Sequence, residues 1–394
     1  MDHLDTSTAN PESPAIKPRN RFDRYEWAGA FGDLGTLIPF VVAYITLLDM
    51  NPVGVLYAFG FAKIASGLFY RTPFPVQPMK ASGAIATTQA AQTLTITPDM
   101  VYGAGLATGL TWLLLGVTGM TRRVVSLVGR PVAQGIILGL GFSFMLEGIR
   151  MMAQGWIVGG IALAATLLLL GSRKIPAMVV LLLFGAATAV AQSPTLLQEL
   201  AAIELTLQWP SWALGALGWK EFLLGAFFVA LPQVPLTLSN AIIAVKEENN
   251  RLFPDRPLSE KGVSISTGIM NLLGPMVGGV PMCHGAGGMA GHVAFGARTG
   301  GALIILGSLL VGMALLMGDS VHVILKMFPM PVLGVILFIT GAQLALGTCA
   351  AKGFGKKENF VMLVTAAFGM WNIGIGFVVG VVLHHALQRG IIRL

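Results

Sequence analysis

Two copies of one short phrase carry the residue types best suited to chemistry in this chain. The first is Pro78-Met79-Lys80-Ala81-Ser82-Gly83-Ala84-Ile85-Ala86. The second, one residue longer, is Pro281-Met282-Cys283-His284-Gly285-Ala286-Gly287-Gly288-Met289-Ala290. Each sets a proline and a bulky polar or cationic residue ahead of a run of tiny ones. A proline in the first turn of a helix, followed by small residues, leaves backbone N–H groups bare, and such a helix start holds anions. The chemistry expected of the pair is capture of an anion rather than bond making. Cys283, His284 and Asp33 are also the residue types of a hydrolase, but adjacent side chains on a helix do not face each other, so the chain is read as a non-enzyme. Neither Cys283 nor Cys349 has metal-ligand spacing around it, and no disulfide framework, metal or cofactor is expected.

The elements that position these phrases are apolar. Hydrophobic residues make up 55% of the 394 and charged residues 11%, and the mean hydropathy is +0.76. That leaves too little polar surface for a soluble globule and marks an all-α polytopic membrane protein whose principal partner is the lipid bilayer. Fifty glycines suit close packing of transmembrane helices. The net charge of +7 does not point to nucleic acid, because the basic residues sit in short loops between apolar spans.

Residues 1–26 read as a polar cytoplasmic tail without the apolar region of a signal peptide. Spans follow near 27–48, 51–70, 99–120, 131–151, 155–172 and 175–192. With the Pro78 segment as the third element they make a first repeat of seven over 27–192. The interval 193–219, with Trp209 and Trp212, is too polar to span and is read as an extracytoplasmic interfacial connection. A second set of seven fills 220–394: 220–245, 259–275, the Pro281 half-helix, 299–317, 331–348, 357–371 and 373–390. The half-helices are thus elements 3 and 10 of 14. An odd number of crossings per repeat inverts the second copy relative to the first, and two half-helices meeting in a buried site are the pattern of inverted-repeat carriers.

Charge sets the orientation. With the N-terminus in the cytoplasm, twenty of the 25 lysines and arginines fall in inside segments, and only Arg150, Lys220 and Lys326 outside. Lys63 and Lys80 lie within spans. The asymmetry predicts a multi-pass protein of the cell membrane with both termini cytoplasmic and no soluble domain after the last span.

At the level of motifs the chain resembles the molybdate transporter family, a branch of the sulfate permease superfamily. The resemblance rests on Phe31-Gly32-Asp33-Leu34-Gly35-Thr36-Leu37-Ile38-Pro39, Pro75-Val76-Gln77-Pro78-Met79-Lys80, Leu231-Pro232-Gln233-Val234-Pro235-Leu236-Thr237, and the Pro281 phrase followed by Phe295-Gly296-Ala297-Arg298-Thr299. It implies a uracil-permease-like fold with a core of elements 1–4 and 8–11 and a gate of elements 5–7 and 12–14. It also implies helix starts at elements 3 and 10 aimed at an oxyanion, and no cytoplasmic regulatory domain. The expected function is import of a tetrahedral oxyanion, molybdate, by alternating access with proton symport. A sulfate or other anion carrier and a passive anion channel are the alternatives. A homodimer is among the expected assemblies.

Residue roles follow. A dianion needs compensating charge near its own magnitude, and two helix starts of roughly half a charge each with Lys80 supply it; otherwise Lys80 snorkels or pairs with a carboxylate. His284, at the matching place in the second phrase, is either a neutral donor or a packing residue. Ala81, Ser82, Gly285, Ala286 and Gly287 offer backbone N–H groups, and Gln77, Gln233 and Cys283 line the same expected site. Asp33, a carboxylate at depth, is either a proton-coupling group or half of an ion pair with Lys63 or Lys80. Thr36, Asn240, Asn271 and Arg298 are read as supporting residues. Gln233, between Pro232 and Pro235, sits where the eighth span must be distorted.

Overall fold

Helix starts are written into the sequence as caps. Asp23 accepts from the amides of Tyr25 and Glu26 and opens α1, Arg24–Ala30. A single 3-10 turn at Phe31–Asp33 joins it to α2, Leu34–Leu47, and Gly32 and Gly35 let this stretch pack closely against the backbone of Gly291 and Leu333. Asn51 caps α3, Pro52–Tyr70, and Thr97 caps α4, Pro98–Val117, each with proline in the first turn. Then come α5, Arg130–Met152, α6, Trp156–Leu169, and α7, Ala177–Gln192. The computed structural model describes residues 19–80, 82–83, 95–126, 128–170, 172, 175–349 and 354–392.

The interval after α7 contains a short helix, Thr195–Ala201, bent by 110° from α7. An extended run follows, in which the amides of Thr206 and Gln208 bond the carbonyls of Leu316 and Leu315. Trp209, Trp212 and Trp219 stand exposed there. The next span, from Trp219–Leu224 through to Val245–Leu252, is continuous but irregular: Gly225–Ala230 and Thr237–Ala244 are π-helical and Leu231–Gln233 is a 3-10 turn. Pro232 and Pro235 lack the N–H groups a regular ladder would use there. The longer helices that follow are α8, Glu260–Leu273, α9, Ala286–Ala294, α10, Gly301–Met317, α11, Met330–Cys349, α12, Lys356–Trp371, and α13, Ile373–Gln388, with short helices at Met120–Ser126 and Val321–Leu325 besides. Arg24–Leu47, Pro52–Tyr70, Pro98–Val117 and Arg130–Leu169 are long and apolar enough to cross a membrane, and shorter apolar helices include Gly301–Met317.

The all-α expectation misses one element. Gln77–Pro78 (β1) and Met282–Cys283 (β2) form an antiparallel pair, Gln77 opposite Cys283 and Pro78 opposite Met282.

Three antiparallel helix pairs surround this crossing. Gly141 and Gly148 of α5 meet Gly341 and Gly334 of α11, Gly60 and Gly67 of α3 meet Gly307 and Gly300 of α10, and Gly109 and Gly116 of α4 meet Leu272 and Ile265 of α8. A Cβ on Gly148 would lie 2.6 Å from the Gly334 carbonyl oxygen, so the backbones approach only because the side chain is missing.

Candidate anion-binding site

The site begins with two extended segments held by side chains of the spans behind them. Below α3 the chain reverses at Arg71 (φ 54°). It returns with the Phe74 carbonyl accepting from Ser66 Oγ and the Val76 carbonyl accepting from Lys63 Nζ at 2.7 Å. On the other side Asn271 of α8 grips Met282 from both ends: Asn271 Nδ2 donates to the Met282 carbonyl (2.6 Å), and the Met282 amide donates to Asn271 Oδ1 (2.8 Å). The Met79 amide donates to the Pro281 carbonyl at 2.9 Å. The two prolines therefore do not stand in the first turns of helices, as their spacing suggested. Pro78 lies within β1 and Pro281 directly precedes β2, positions where a missing N–H costs no ladder bond.

Helices open just beyond. Lys80, Ser82 and Gly83 are helical, with the Gly83 amide bonded to the Met79 carbonyl (2.8 Å); Ala81 lies outside the described residues. In the second phrase Gly285 is the N-cap of α9, and no side chain caps that helix. The amides of Ala286 and Gly287 belong to its first turn, whose N–H groups lack intrahelical partners by construction.

Lys80 Nζ is buried without a hydrogen-bond partner among the described residues and stands 3.8 Å above the centroid of the Phe144 ring of α5. The same ring fills the space a Cβ on Gly287 would need, so Lys80, Phe144 and the first turn of α9 share one volume. Gln77 Oε1 and Asn240 Oδ1 are likewise buried and unpartnered, and a Cβ on Gly285 would collide with the first and lie 3.4 Å from Asn240 Nδ2. The Tyr44 hydroxyl, also unpartnered, would be 3.4 Å from a Cβ on Gly83. A lone ammonium at this depth is costly, and a set of unsatisfied polar atoms around it calls for an occupant. An anion with several oxygens meets the cation and the uncapped amides together.

Asp33 is not part of that free set. Its Oδ2 is 3.3 Å from Lys63 Nζ, both side chains fully buried, and its Oδ1 accepts from Thr36 Oγ1 and from Gln77 Nε2. Thr36 Oγ1 also accepts from Gln77 Nε2 at 2.6 Å. Of the two ion pairs open on sequence, the structure makes the one with Lys63. The carboxylate can only accept, so it turns the Gln77 amide nitrogen toward itself and Oε1 toward α9.

His284 has no donor left over. Its Nδ1 is 2.8 Å from the Pro75 carbonyl, which can only accept, so Nδ1 carries the proton; Nε2 then accepts from the Ser266 hydroxyl at 2.7 Å. Phe74 and Tyr70 pack on the ring. The side chain ties β2 to the segment ahead of β1. Cys283 packs with Met79 and Ala241 in a small buried cluster.

The distorted span supplies the other wall. Gln233 Oε1 accepts from the Ser82 amide (3.2 Å), Gln233 Nε2 donates to Thr237 Oγ1 (3.1 Å), and Ser82 Oγ donates to the Val229 carbonyl (3.0 Å). Asn240 lies in the π-helical stretch, all of it buried. Arg298 stands apart: its guanidinium donates to the carbonyls of Val293 and Ala297 at the C-terminal end of α9, about 13 Å of helix from Gly285.

Several residues escape a reading of the sequence. Phe144 and Tyr44 look like any aromatic residue in an apolar span. Glu26, near the polar tail, is fully buried and accepts from the amides of Arg298, Thr299 and Ala302 (3.0, 2.9 and 3.2 Å). It clamps the turn into α10, in which Gly296 takes φ +115°. Its signal was the Phe295 to Thr299 motif, which turns out to be this docking turn.

A family model described as "Molybdate transporter of MFS superfamily" matches residues 25–144 and again residues 225–344. Molybdate transporter 2 of Arabidopsis thaliana is 33% identical, covering 92% of this chain and 87% of that protein. Molybdate transporter 1 of Chlamydomonas reinhardtii is 28% identical, covering 91% and 90%. Among solved structures, the transmembrane domain of a cyanobacterium bicarbonate transporter, BicA, is similar with a TM-score of 0.58 at 15% identity, over 92% of this chain and 98% of that one. Murine Slc26a9, an anion transporter in the inward-facing state, is similar with a TM-score of 0.62 at 13% identity, over 96% and 70%.

Proposed function

The chain belongs to the molybdate transporter family, and from that premise we propose that it is a secondary carrier that imports a tetrahedral dianion, molybdate, across the cell membrane by alternating access. The observation that carries the site is Lys80: a buried ammonium without a hydrogen-bond partner among the described residues, beside the uncapped start of α9. Two helix starts of roughly half a positive charge each, with one lysine, balance a charge of −2. Gly285, Ala286 and Gly287 present backbone, Ser82 anchors the first helix start to Gln233, Gln77 and Asn240 set the lateral walls, and Phe144 excludes water. Gln233, Asn271, Cys283, His284 and Thr36 hold this frame in place, and Arg298 closes the far end of α9.

The fold is read as two inverted repeats of seven elements. The antiparallel pairs α3 with α10, α4 with α8 and α5 with α11 support this, as does a single family model that matches twice at the same spacing. The crossing belongs to the core, and α5 to α7 with α11 to α13 form the gate.

Coupling to protons follows from electrical work. A dianion entering a negative-inside cell opposes about 2.3 kcal/mol per charge per 100 mV, so accumulation needs accompanying cations. Asp33, tied to Lys63 and through Gln77 to the site, is the proposed proton acceptor.

Thermal shift of the purified protein with molybdate, tungstate, sulfate, bicarbonate and uracil tests the substrate, because a ligand that binds only the folded state raises Tm. Molybdate should stabilise the parent and leave Lys80→Ala unmoved. Stabilisation by bicarbonate or uracil alone would overturn the reading. Stabilisation by sulfate as strong as that by molybdate would favour the broader anion carrier. Absence of saturable counterflow in vesicles would favour a passive channel.

A further inference from the structure

Away from the anion site, an apolar groove of about 690 Å³ runs between α3 and α8. We propose that it is a binding site for one anionic phospholipid, whose acyl chain lies in the groove and whose phosphate sits at the basic mouth.

The walls suit a hydrocarbon chain. Ala62, Ala65, Ile265 and Ile269 line the trench, and Phe61 and Phe69 form exposed lips on the outer face of α3. The volume lies within the range of about 300 to 1,000 Å³ typical of sites that bury a small ligand.

The groove has direction. At the end where α3 finishes and α8 begins, Tyr70 and Gly262 line it, and the residues next to them in the chain are Arg71 and Lys261. Arg256 joins this end, its guanidinium bonded to the Arg71 carbonyl. Arg71 and Lys261 adjoin lining residues along the chain, and the neighbouring Glu260 is already paired with Lys246 at 2.8 Å, so this end keeps a surplus of positive charge that complements a phosphate head above a chain, as basic clusters beside membrane helices recruit anionic lipids. A second copy of the protein is the poorer occupant. A two-fold contact through this face would set the two basic mouths on one interface, like charge against like.

The floor gives the site a consequence. The trench ends on Met282 and His284, and Ser266, another lining residue, bonds both Tyr70 and His284. A chain seated there braces β2 from behind, so lipid occupancy should stabilise the crossing whether or not an anion is bound.

The test uses the full chain, purified in detergent and delipidated, with dioleoylphosphatidylglycerol or dioleoylphosphatidylcholine added at equal mole ratios. Phosphatidylglycerol should raise Tm saturably and phosphatidylcholine should not. Ala65→Trp, which fills the trench from an exposed position, should abolish the phosphatidylglycerol increment while the increment from molybdate persists. Arg71→Gln with Lys261→Gln should weaken phosphatidylglycerol roughly fivefold per cation removed. Equal shifts from the two lipids, or a full phosphatidylglycerol increment in Ala65→Trp, would overturn the proposal. So would native mass spectra in which delipidation yields dimers that cross-link through a cysteine at Ala65. Because lipid and molybdate increments are read separately, failure of the lipid site leaves the carrier reading standing, and the converse holds as well.

Discussion

At the scale of single residues, Lys80 and His284 divide the labour that their matching places in the two phrases suggested they share. Lys80→Ala should weaken molybdate binding by about 2 to 5 kcal/mol, the usual cost of removing one partner of a desolvated charge pair. Lys80→Arg should recover part of it, and isothermal titration of the folded protein measures both. His284→Ala should instead lower stability, by about 1 to 3 kcal/mol, because it strands the Pro75 carbonyl and loses the Ser266 bond; its Tm should fall in the absence of any anion. Asp33→Asn should abolish pH-dependent accumulation in vesicles while equilibrium exchange continues. It leaves Lys63 buried without its counter-charge, so stability should drop by about 3 to 5 kcal/mol and return in part on adding Lys63→Met. An unchanged pH profile in Asp33→Asn would remove it as the coupling group. That Lys80 and Asp33 set charge at depth was legible in the sequence, because a charge in an apolar chain is conspicuous. The fate of His284 was not, since nothing in its neighbourhood along the chain announces a carbonyl 209 positions away.

At the scale of elements, most helices fall within a few residues of where apolar length places them, the irregular span expected to end at 245 runs on to Leu252, and the distortion around Pro232 and Pro235 appears as π and 3-10 turns. What apolar length could not reveal is the extended pair. Two residues per strand leave no periodicity to read, and a proline before a run of small residues is equally compatible with a helix start or a strand. Close approach gives this element its test. Gly287→Val would drive a branched side chain into the Phe144 ring and should reduce molybdate affinity at least tenfold, measured by titration. A protein that binds normally would mean Phe144 is free to move away and does not wall the site.

At the scale of the whole molecule, charge asymmetry and helix count speak to topology. A cysteine near Glu199 should react with an impermeant thiol reagent from outside, and one near Lys356 should not; the reverse pattern would invert the topology. The two Pro-Met phrases echo each other along the chain, and a single family model matches two stretches of it, residues 25–144 and 225–344. The clamp by Glu26 was not legible, and its span along the chain bears on biosynthesis. The amides it holds lie 272 to 276 residues downstream, and β1 likewise waits for β2. At about 5 to 20 residues per second, the first helix waits for tens of seconds before its partners exist. Glu26 is then a carboxylate held in reserve, and the anion site is assembled only once both halves are in the bilayer. An N-terminal fragment made alone should be inserted but quickly degraded, and co-production of the missing half as a separate polypeptide should rescue both its lifetime and its affinity for molybdate.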